Sequence, residues 1–233
     1  MTEKIVILTG AGLSAESGLS TFRDAGGLWA QHRIEDVATP EAFARDPARV
    51  QAFYNMRRAQ AAEAHPNAAH LALARLQTTL KGRVILITQN VDWLHEKAGG
   101  IALHMHGVLS QALCAACGHR WYVPDEMTPD EPCPACGAPR GRPDVVWFGE
   151  MPYHLDLIDS HLSSCTLFAA IGTSGQVFPA AGFVREAQLN GAETVELNLE
   201  RTEISGQFQR NIFGPATETV PRWVDSLLED SLY

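Results

Sequence analysis

Short runs of aliphatic and β-branched residues are the feature that most constrains the fold of this chain. They cover residues 4–9, 83–88, 102–105, 166–171 and 194–197, and polar residues or glycines follow each run. Stretches with a helical pattern separate them, at residues 47–64, 67–80, 179–189 and 221–228. Strands that alternate with helices predict an α/β protein with a doubly wound parallel sheet. Ligands of such sheets bind beyond the carboxyl ends of the strands, where these polar residues fall.

Two segments interrupt the alternation and predict a second, smaller lobe. Residues 25–82 contain helical patterns without a strand, and residues 113–144 are rich in cysteine, proline and glycine. We therefore expect a Rossmann-like core made of residues 1–24, 83–112 and 145–233. The small lobe would combine a helical insertion, residues 25–82, with a zinc ribbon, residues 113–144. The 233 residues suit a single module of this kind.

The cysteines carry the zinc signal. Cys114 and Cys117 form one C-x2-C pair and Cys133 and Cys136 form a second, with a glycine after each pair. This spacing is typical of a ribbon in which two tight turns present four thiolates to one tetrahedral ion. Because four thiolates leave no position for water, the zinc is expected to be structural. The remaining cysteine, Cys165, begins an apolar run and is expected in the core.

Residues 10–15, which read Gly-Ala-Gly-Leu-Ser-Ala, follow the first predicted strand and obey G-x-G-x-x-[GA]. Free backbone N–H groups in such a turn can receive a pyrophosphate. The usual dinucleotide fold has a second strand ending in an acidic residue about 20 residues later, whereas this chain has a polar, glycine-rich loop. An ordinary turn between a strand and a helix, with a surface loop, explains the same residues.

Polar residues at two other strand ends are open to two interpretations. Asn90 and Asp92 offer an amide and a carboxylate to a ligand, or cap the helix that follows. His104 and His106 lie on the same face of a strand by alternation, and a glycine after His106 indicates a sharp turn at the sheet edge. A single histidine is nevertheless more often structural than catalytic.

Tyr54 and Arg57 lie at positions i and i+3 of a predicted helix, so their side chains can meet on one ligand. A guanidinium with an added phenol suits a carboxylate. The alternative is a solvated helix face next to Arg58.

Composition excludes some classes of function. The chain has 18 basic and 27 acidic residues, a formal charge of −9, which argues against a nucleic-acid partner held by phosphate contacts. The longest aliphatic run, residues 84–87, is far short of the roughly 20 residues that cross a membrane. The first strand begins too early for a signal peptide, so we expect a cytoplasmic protein. The oligomeric state is not predicted, and a monomer is compatible with the sequence.

Taken in order, these motifs resemble the sirtuin family of NAD-dependent protein-lysine deacylases. They are GAGLSAESGLSTFR at residues 10–23, TQNVDWLH at 88–95, HMHG at 104–107, the cysteine pairs, VVWFGE at 145–150, GTS at 172–174 and NLE at 198–200. The resemblance spans residues 5–221. It is strongest to bacterial class III desuccinylases and demalonylases, whose Tyr-x-x-Arg pair is matched by Tyr54 and Arg57. Their small acyl-pocket residue is matched by Ala38.

The resemblance implies a role for each matching residue. His106 would be the general base, with Asn90 and Asp92 as the other catalytic residues. Residues that bind NAD would be Gly10, Ala11, Gly12, Ser14, Ala15, Glu16, Thr21, Phe22, Arg23, Trp29, Gln89, Asn90, Val91, Asp92, Gly172, Thr173, Ser174, Asn198, Leu199, Glu200 and Ala216. Residues that contact the acyl-lysine substrate would be Ala38, Tyr54, Arg57, Val145, Val146, Phe148, Gly149 and Glu150.

The resemblance also implies an activity. Acetyl, and with it succinyl or malonyl, would be removed from lysines of protein or peptide partners. NAD would be consumed as a co-substrate, giving nicotinamide, free lysine and O-acyl-ADP-ribose, and one structural zinc would be bound. Two alternatives stay open, namely a mono-ADP-ribosyltransferase and a non-catalytic NAD-sensing module. Trp93 departs from many relatives, which have a smaller or polar residue there.

Overall fold

The computed structural model describes residues 4–21, 32–123 and 125–230. Its strands, in chain order, are β1 (Ile5–Thr9), β2 (Val84–Thr88), β3 (Ala102–His104), β4 (Gly107–Cys114), β5 (Arg120–Tyr122), β6 (Gly141–Val145), β7 (Leu167–Ile171), β8 (Glu193–Asn198) and β9 (Arg210–Phe213). Its α-helices are α1 (Ala11–Ala15), α2 (Ile34–Val37), α3 (Pro40–Arg45), α4 (Pro47–Glu63), α5 (Ala68–Thr79), α6 (Leu94–Lys97), α7 (Leu155–Leu162), α8 (Phe183–Leu189) and α9 (Ala216–Asp230).

The larger sheet is parallel and doubly wound, as predicted. Among the described residues it has six strands in the order β3-β2-β1-β7-β8-β9, and each neighbouring pair is parallel. The strand order reverses between β1 and β7, which makes this the switch point where a ligand crevice is expected. Thr9 at the end of β1 is in register with Thr88 and Ile171, so the residues that follow all three strands meet at one edge.

Successive side chains of each central strand point to opposite faces of the sheet, and the side chains on both faces are buried. On one face Ile5 and Ile7 pack against helices α5 and α9 through residues such as Leu73 and Trp223. On the other face Val6, Leu8 and Phe168 pack against α7 and α8, and the predicted core residue Cys165 lies among them.

The predicted helices are present, with two starts that differ. The helix predicted at residues 179–189 begins as α8 at Phe183, after a 3-10 turn at Ala180–Gly182. The prediction began the last helix at residue 221, because proline is favoured at the first helical position. The structure begins α9 at Ala216 and places Pro221 inside it. Pro221 is the sixth residue of this helix, past its first turn, so its ring removes the N–H that would bond to the Thr217 carbonyl. Helix α7 and strands β4 and β9 have no counterpart among the predicted helices and strands.

The second sheet is antiparallel, with the order β5-β4-β6, and it packs against the helical segment that contains α2, α3 and α4. The amide of Gln51 on α4 donates to the Gly141 carbonyl at 3.1 Å, and Asn55 exchanges two hydrogen bonds of 2.9 Å with the backbone of Met127. The predicted lobe boundary at residues 112 and 113 lies inside β4. The division into lobes stays a prediction. No helix in the described part of the chain is long and apolar enough to cross a membrane.

Candidate active site

A cleft of about 850 Å³ lies at the carboxyl edge of the parallel sheet. One side, which we call the sheet wall, consists of residues that follow the strands and includes Gly10, Asn90, His106, Thr173 and Asn198. The opposite side, which we call the helix wall, consists of residues of α4, the end of α2 and the segment after β6, and includes Ala38, Tyr54, Arg57, Trp147 and Phe148. The volume is within the range of sites for drug-sized ligands.

The glycine-rich turn after β1 fits tightly against the end of β7. A Cβ atom on Gly10 would lie 2.7 Å from the carbonyl oxygen of Gly172, and one on Gly12 would lie 2.9 Å from its Cα atom. Gly10 N–H donates to the Ile171 carbonyl at 3.0 Å and Gly12 N–H donates to Gly172 at 2.8 Å. These glycines therefore allow two loops to meet, and their amides are not free as the motif suggested.

The rest of the turn faces the cleft. Ala11, Ala15, Glu16 and Thr21 line it, and the Glu16 carboxylate accepts a hydrogen bond of 3.1 Å from Thr217 N–H. Glu16 thereby ties the turn to the start of α9, where Ala216 also lines the cleft. Predicted NAD-binding residues Phe22, Arg23 and Trp29 lie outside the described residues.

Asn90 and Asp92 belong to one buried hydrogen-bond network. The Asn90 amide donates to the Ser14 hydroxyl and to the Gly10 carbonyl, both at 3.1 Å, and the Ser14 hydroxyl donates to Asp92 at 3.1 Å. Asp92 also accepts from Leu94 N–H at 3.0 Å, the first amide of α6, although the N-cap residue of that helix is Trp93. Burial raises the pKa of Asp92, although these hydrogen bonds oppose the shift. Asn90 lines the cleft. Its amide is hydrogen-bonded to Ser14, and Ser14 is hydrogen-bonded in turn to Asp92.

The two ring nitrogens of His106 differ in their hydrogen bonding. Its Nδ1 lies 3.1 Å from the Gln89 carbonyl oxygen. A carbonyl only accepts, so Nδ1 carries the hydrogen and Nε2 keeps a lone pair. Burial lowers the pKa of His106, and the Gln89 carbonyl partly offsets this. His106 is therefore a neutral base at pH 7 in the wall of the cleft.

His104 differs from its neighbour in sequence. Its Nε2 is 3.2 Å from Glu96 and its Nδ1 is 3.2 Å from the Asn90 carbonyl. Burial alone would lower the pKa of His104, but these acceptors and Asp92 together raise it. Both ring nitrogens are thus engaged by protein acceptors, which leaves His106 as the base of the pair.

The far end of the sheet wall lies beyond β7 and β8. Gly172, Thr173 and Ser174 line the cleft, as do Leu199 and Glu200. The Asn198 amide donates to the Thr173 carbonyl at 2.8 Å, and the Gln89 amide donates to the Thr173 hydroxyl at 2.9 Å. Val91 completes the wall. Side-chain amides therefore fix the loop after β7.

Tyr54 and Arg57 lie in the helix wall and are only 4% and 8% exposed, so the solvated-face alternative is wrong. Burial raises the pKa of Tyr54 to about 12, so the phenol is neutral at pH 7. Burial also lowers the pKa of Arg57, but a guanidinium keeps its charge in proteins. The small residue Ala38 lines the same cleft. A phenol donor and a buried cation together form a site for a carboxylate.

The segment after β6 connects the two walls. Val146 N–H donates to the His106 carbonyl at 2.9 Å, and Phe148 N–H donates to the Ala38 carbonyl at 3.0 Å. The Glu150 carboxylate accepts from both terminal nitrogens of Arg142, at 2.6 and 2.8 Å. All of the predicted substrate residues of this segment line the cleft, namely Val145, Val146, Phe148, Gly149 and Glu150.

The four paired cysteines come together away from the cleft. The sulfur atoms of Cys114, Cys117, Cys133 and Cys136 all lie within 4.8 Å of one another, and two of the distances are 3.7 Å. Tetrahedral zinc with Zn–S bonds of about 2.3 Å requires sulfur atoms about 3.8 Å apart. The donors therefore fit zinc, and a full set of four thiolates makes the site structural.

Sequence reasoning missed some of the cleft. Phe53, Trp147, Pro152, Val177 and Phe178 also line it. Trp147 lies inside the VVWFGE motif, and Val177 and Phe178 follow the GTS motif closely, so proximity to these motifs was the available signal.

Comparisons with known proteins agree with this geometry. The family model described as "Sir2 family" matches residues 10–179. The chain is 54% identical over 230 residues to an NAD-dependent protein deacylase of Shigella flexneri, covering 97% of this chain and 84% of that protein. It is also 54% identical over 235 residues to an NAD-dependent protein deacylase of Leishmania major, covering 98% and 97%.

Solved structures with the same fold contain nucleotide or peptide ligands. A Sir2 homologue in complex with ADP ribose has a TM-score of 0.92 at 36% identity, covering 98% of this chain and 93% of that chain. A Sir2 homologue in complex with NAD has a TM-score of 0.89 at 37% identity, covering 97% and 90%. A complex described as Sir2, p53 peptide and NAD⁺ has a TM-score of 0.79 at 28% identity, covering 98% and 93%.

Proposed function

The chain belongs to the Sir2 family, and we infer that it is an NAD-dependent protein-lysine deacylase whose pocket accepts acetyl and also the acidic acyl groups succinyl and malonyl. The observation that carries this inference is that one cleft joins two kinds of site. Its sheet wall presents a neutral histidine base and a held amide, and its helix wall presents a phenol and a guanidinium. The first pair suits NAD cleavage with acyl transfer, and the second suits a carboxylate.

NAD supplies the reactive bond, because loss of nicotinamide leaves a ribose carbon that the acyl-lysine amide oxygen attacks. Positioning is the main task, since an amide oxygen is a poor nucleophile. Asn90 would hold nicotinamide, the ribose or an ordered water, and the Ser14 and Asp92 hydrogen bonds keep its amide in place. The glycine turn and the loops after β7 and β8 would hold the phosphates and the adenosine half.

His106 would act as the general base. Because the Gln89 carbonyl fixes the hydrogen on Nδ1, Nε2 is the atom that takes a proton from a ribose hydroxyl. The lowered pKa keeps the ring neutral, and therefore competent, at cellular pH. The activated hydroxyl would then attack the acyl carbon, and one water would release lysine, so that the products would be nicotinamide, free lysine and O-acyl-ADP-ribose.

The helix wall would select the acyl group. The buried Arg57 guanidinium offers a charge-assisted hydrogen bond to a distal carboxylate, and Tyr54 adds a second donor. The substrate backbone would pair with residues 145–150 as an added strand. We further propose that substrates are acyl-lysine segments of cytoplasmic proteins, whose basic character the charge of −9 suits.

Product analysis tests the proposal. Incubation with NAD and an acyl-lysine peptide is expected to yield nicotinamide, deacylated peptide and O-acyl-ADP-ribose in equal amounts, measured by liquid chromatography and mass spectrometry. ADP-ribose retained on protein, without O-acyl-ADP-ribose, would instead establish a mono-ADP-ribosyltransferase. Binding of NAD with no release of nicotinamide would establish a non-catalytic sensor.

A further inference from the structure

Trp147 lies in the helix wall and has no role in the mechanism proposed above. It is 2% exposed, and its indole N–H donates a hydrogen bond of 3.0 Å to the Tyr54 hydroxyl oxygen. The two residues come from different elements, since Tyr54 is on α4 and Trp147 follows β6. Indole nitrogen is a donor only, so the direction of this hydrogen bond is fixed.

That direction controls what Tyr54 can do. A phenol hydroxyl has one hydrogen to give, and it can also accept. Because Trp147 occupies Tyr54 as an acceptor, the hydroxyl hydrogen is directed to another partner. No protein acceptor receives it within residues 4–21, 32–123 and 125–230. Tyr54 lines the cleft beside Arg57, so a bound carboxylate can supply the missing acceptor.

The indole is itself contacted by two further side chains. The Arg142 guanidinium lies 3.4 Å from the centre of the Trp147 ring and the Phe43 ring lies 5.3 Å away. Arg142 is fixed in turn by its two hydrogen bonds to Glu150, and Glu150 also accepts from the backbone N–H of Trp147 at 2.8 Å. The indole therefore has little freedom to turn its N–H away from Tyr54.

We propose that Trp147 is a specificity-determining positioning residue, which acts through Tyr54 by fixing its hydroxyl as a donor toward an acyl group that ends in a carboxylate. The inference rests on the proposed acceptance of acidic acyl groups. Acetyl-lysine has no distal acceptor, so its turnover depends less on the orientation of the Tyr54 hydroxyl.

The test is a double-mutant cycle on peptides of one sequence that carry either succinyl-lysine or acetyl-lysine. Trp147→Phe keeps an aromatic ring under Arg142 but removes the N–H group. We expect the ratio of succinyl to acetyl kcat/KM to fall about fivefold, mainly through the KM for succinyl-lysine, which is about 1 kcal/mol at 1.36 kcal/mol per factor of ten. In a Tyr54→Phe background the same change is expected to shift the ratio by less than about twofold, because the residue through which it acts is gone.

A packing control separates this role from a structural one. Phe43→Leu disturbs the contact with the indole but keeps its N–H group, and it is expected to leave the ratio within about twofold of wild type. Independent effects of Trp147→Phe and Tyr54→Phe would overturn the inference, as would an equal loss with Phe43→Leu. A wild-type enzyme that turns over acetyl-lysine but not succinyl-lysine would contradict both the acceptance of acidic acyl groups and this inference. A wild-type enzyme whose succinyl turnover is insensitive to Trp147→Phe would contradict this inference alone.

Discussion

The two walls of the cleft hold polar groups in different ways. In the sheet wall, Asn90 and His106 are fixed by main-chain carbonyls at the ends of strands, the Gly10 and Gln89 carbonyls. In the helix wall, Tyr54 and Arg57 are buried, and Tyr54 lies beside Phe53 and Trp147 and accepts a hydrogen bond from the Trp147 side chain. The sheet-wall residues are thus held by backbone atoms of the parallel sheet, whereas Tyr54 is held by a side chain of another segment. The sheet wall therefore suits the chemistry common to all acyl groups, and the helix wall suits the choice among them.

The largest effect is expected in the sheet wall. His106→Ala removes the proposed base, and kcat/KM is expected to fall about a thousandfold for succinyl- and acetyl-lysine peptides alike, within the range for a general base. Nicotinamide release measures this, and an unchanged unfolding temperature shows that the protein stays folded. Turnover near that of wild type would remove His106 from the role of base, and a loss on one peptide only would break the division between the walls.

Removal of zinc is expected to affect the helix wall more than the sheet wall. Helix α4 is anchored on the ribbon through Gln51 and Asn55, whereas the hydrogen bonds of the four cysteines, in the described part of the chain, all stay within residues 114–140. In chelator-treated protein we expect deacylation to fall by at least about tenfold, since metal binding and folding of such sites are coupled. Affinity for ADP-ribose, measured by calorimetry, is expected to change less than about threefold. Equal losses in both measurements would contradict this order.

The pH dependence of kcat/KM is also expected to differ from that of the succinyl-to-acetyl ratio. His106 is active when neutral and its pKa is lowered by burial, so kcat/KM is expected to fall only below pH 6.5, in parallel for both peptides. Arg57 and Tyr54, with its pKa of about 12, do not change protonation between pH 6 and 9, so the selectivity ratio is expected to stay flat. A ratio that changes across this range would mean that the helix wall titrates.

The free energy of unfolding also depends on pH and has to be measured alongside kcat/KM. Burial lowers the pKa of His70 to about 4 and that of His95 to about 3. The unfolded chain therefore binds protons below pH 6.5 that the native protein does not, and the free energy of unfolding falls as pH falls. Circular dichroism at each pH shows whether lost activity reflects His106 or unfolding.

The smallest effect is expected from the anchor of α4. Asn55→Ala removes two hydrogen bonds to the Met127 backbone and an acceptor of Arg58, and we expect a loss of about 1–3 kcal/mol in the free energy of unfolding. Thr79→Ala is a matched control, because its exposed hydroxyl bonds only to Arg75 within the same helix, and it is expected to change stability by less than about 0.5 kcal/mol. Chemical denaturation measures both, and equal effects would show that α4 does not depend on this anchor.

The same contrast explains what could be predicted from the sequence. The central strands and the polar residues that follow them were predicted, because a buried parallel strand is recognisable from its own residues. Strand β9 was missed because it is a mostly exposed edge strand, with the sequence Arg-Asn-Ile-Phe and no apolar alternation to mark it. In the same way, local motifs supplied Tyr54 and Arg57, but the hydrogen bond that orients Tyr54 joins residues 93 positions apart and has no local signal.

The most direct test of the account compares wild type with Arg57→Met on succinyl-lysine and acetyl-lysine peptides of one sequence, by steady-state nicotinamide release. Methionine keeps much of the length and apolar character of the side chain but removes its charge. We expect the succinyl-to-acetyl ratio of kcat/KM to fall about 10- to 100-fold, as for loss of a hydrogen bond to a charged group. An equal fall on both peptides, leaving the ratio unchanged, would contradict the assignment of acyl selection to the helix wall.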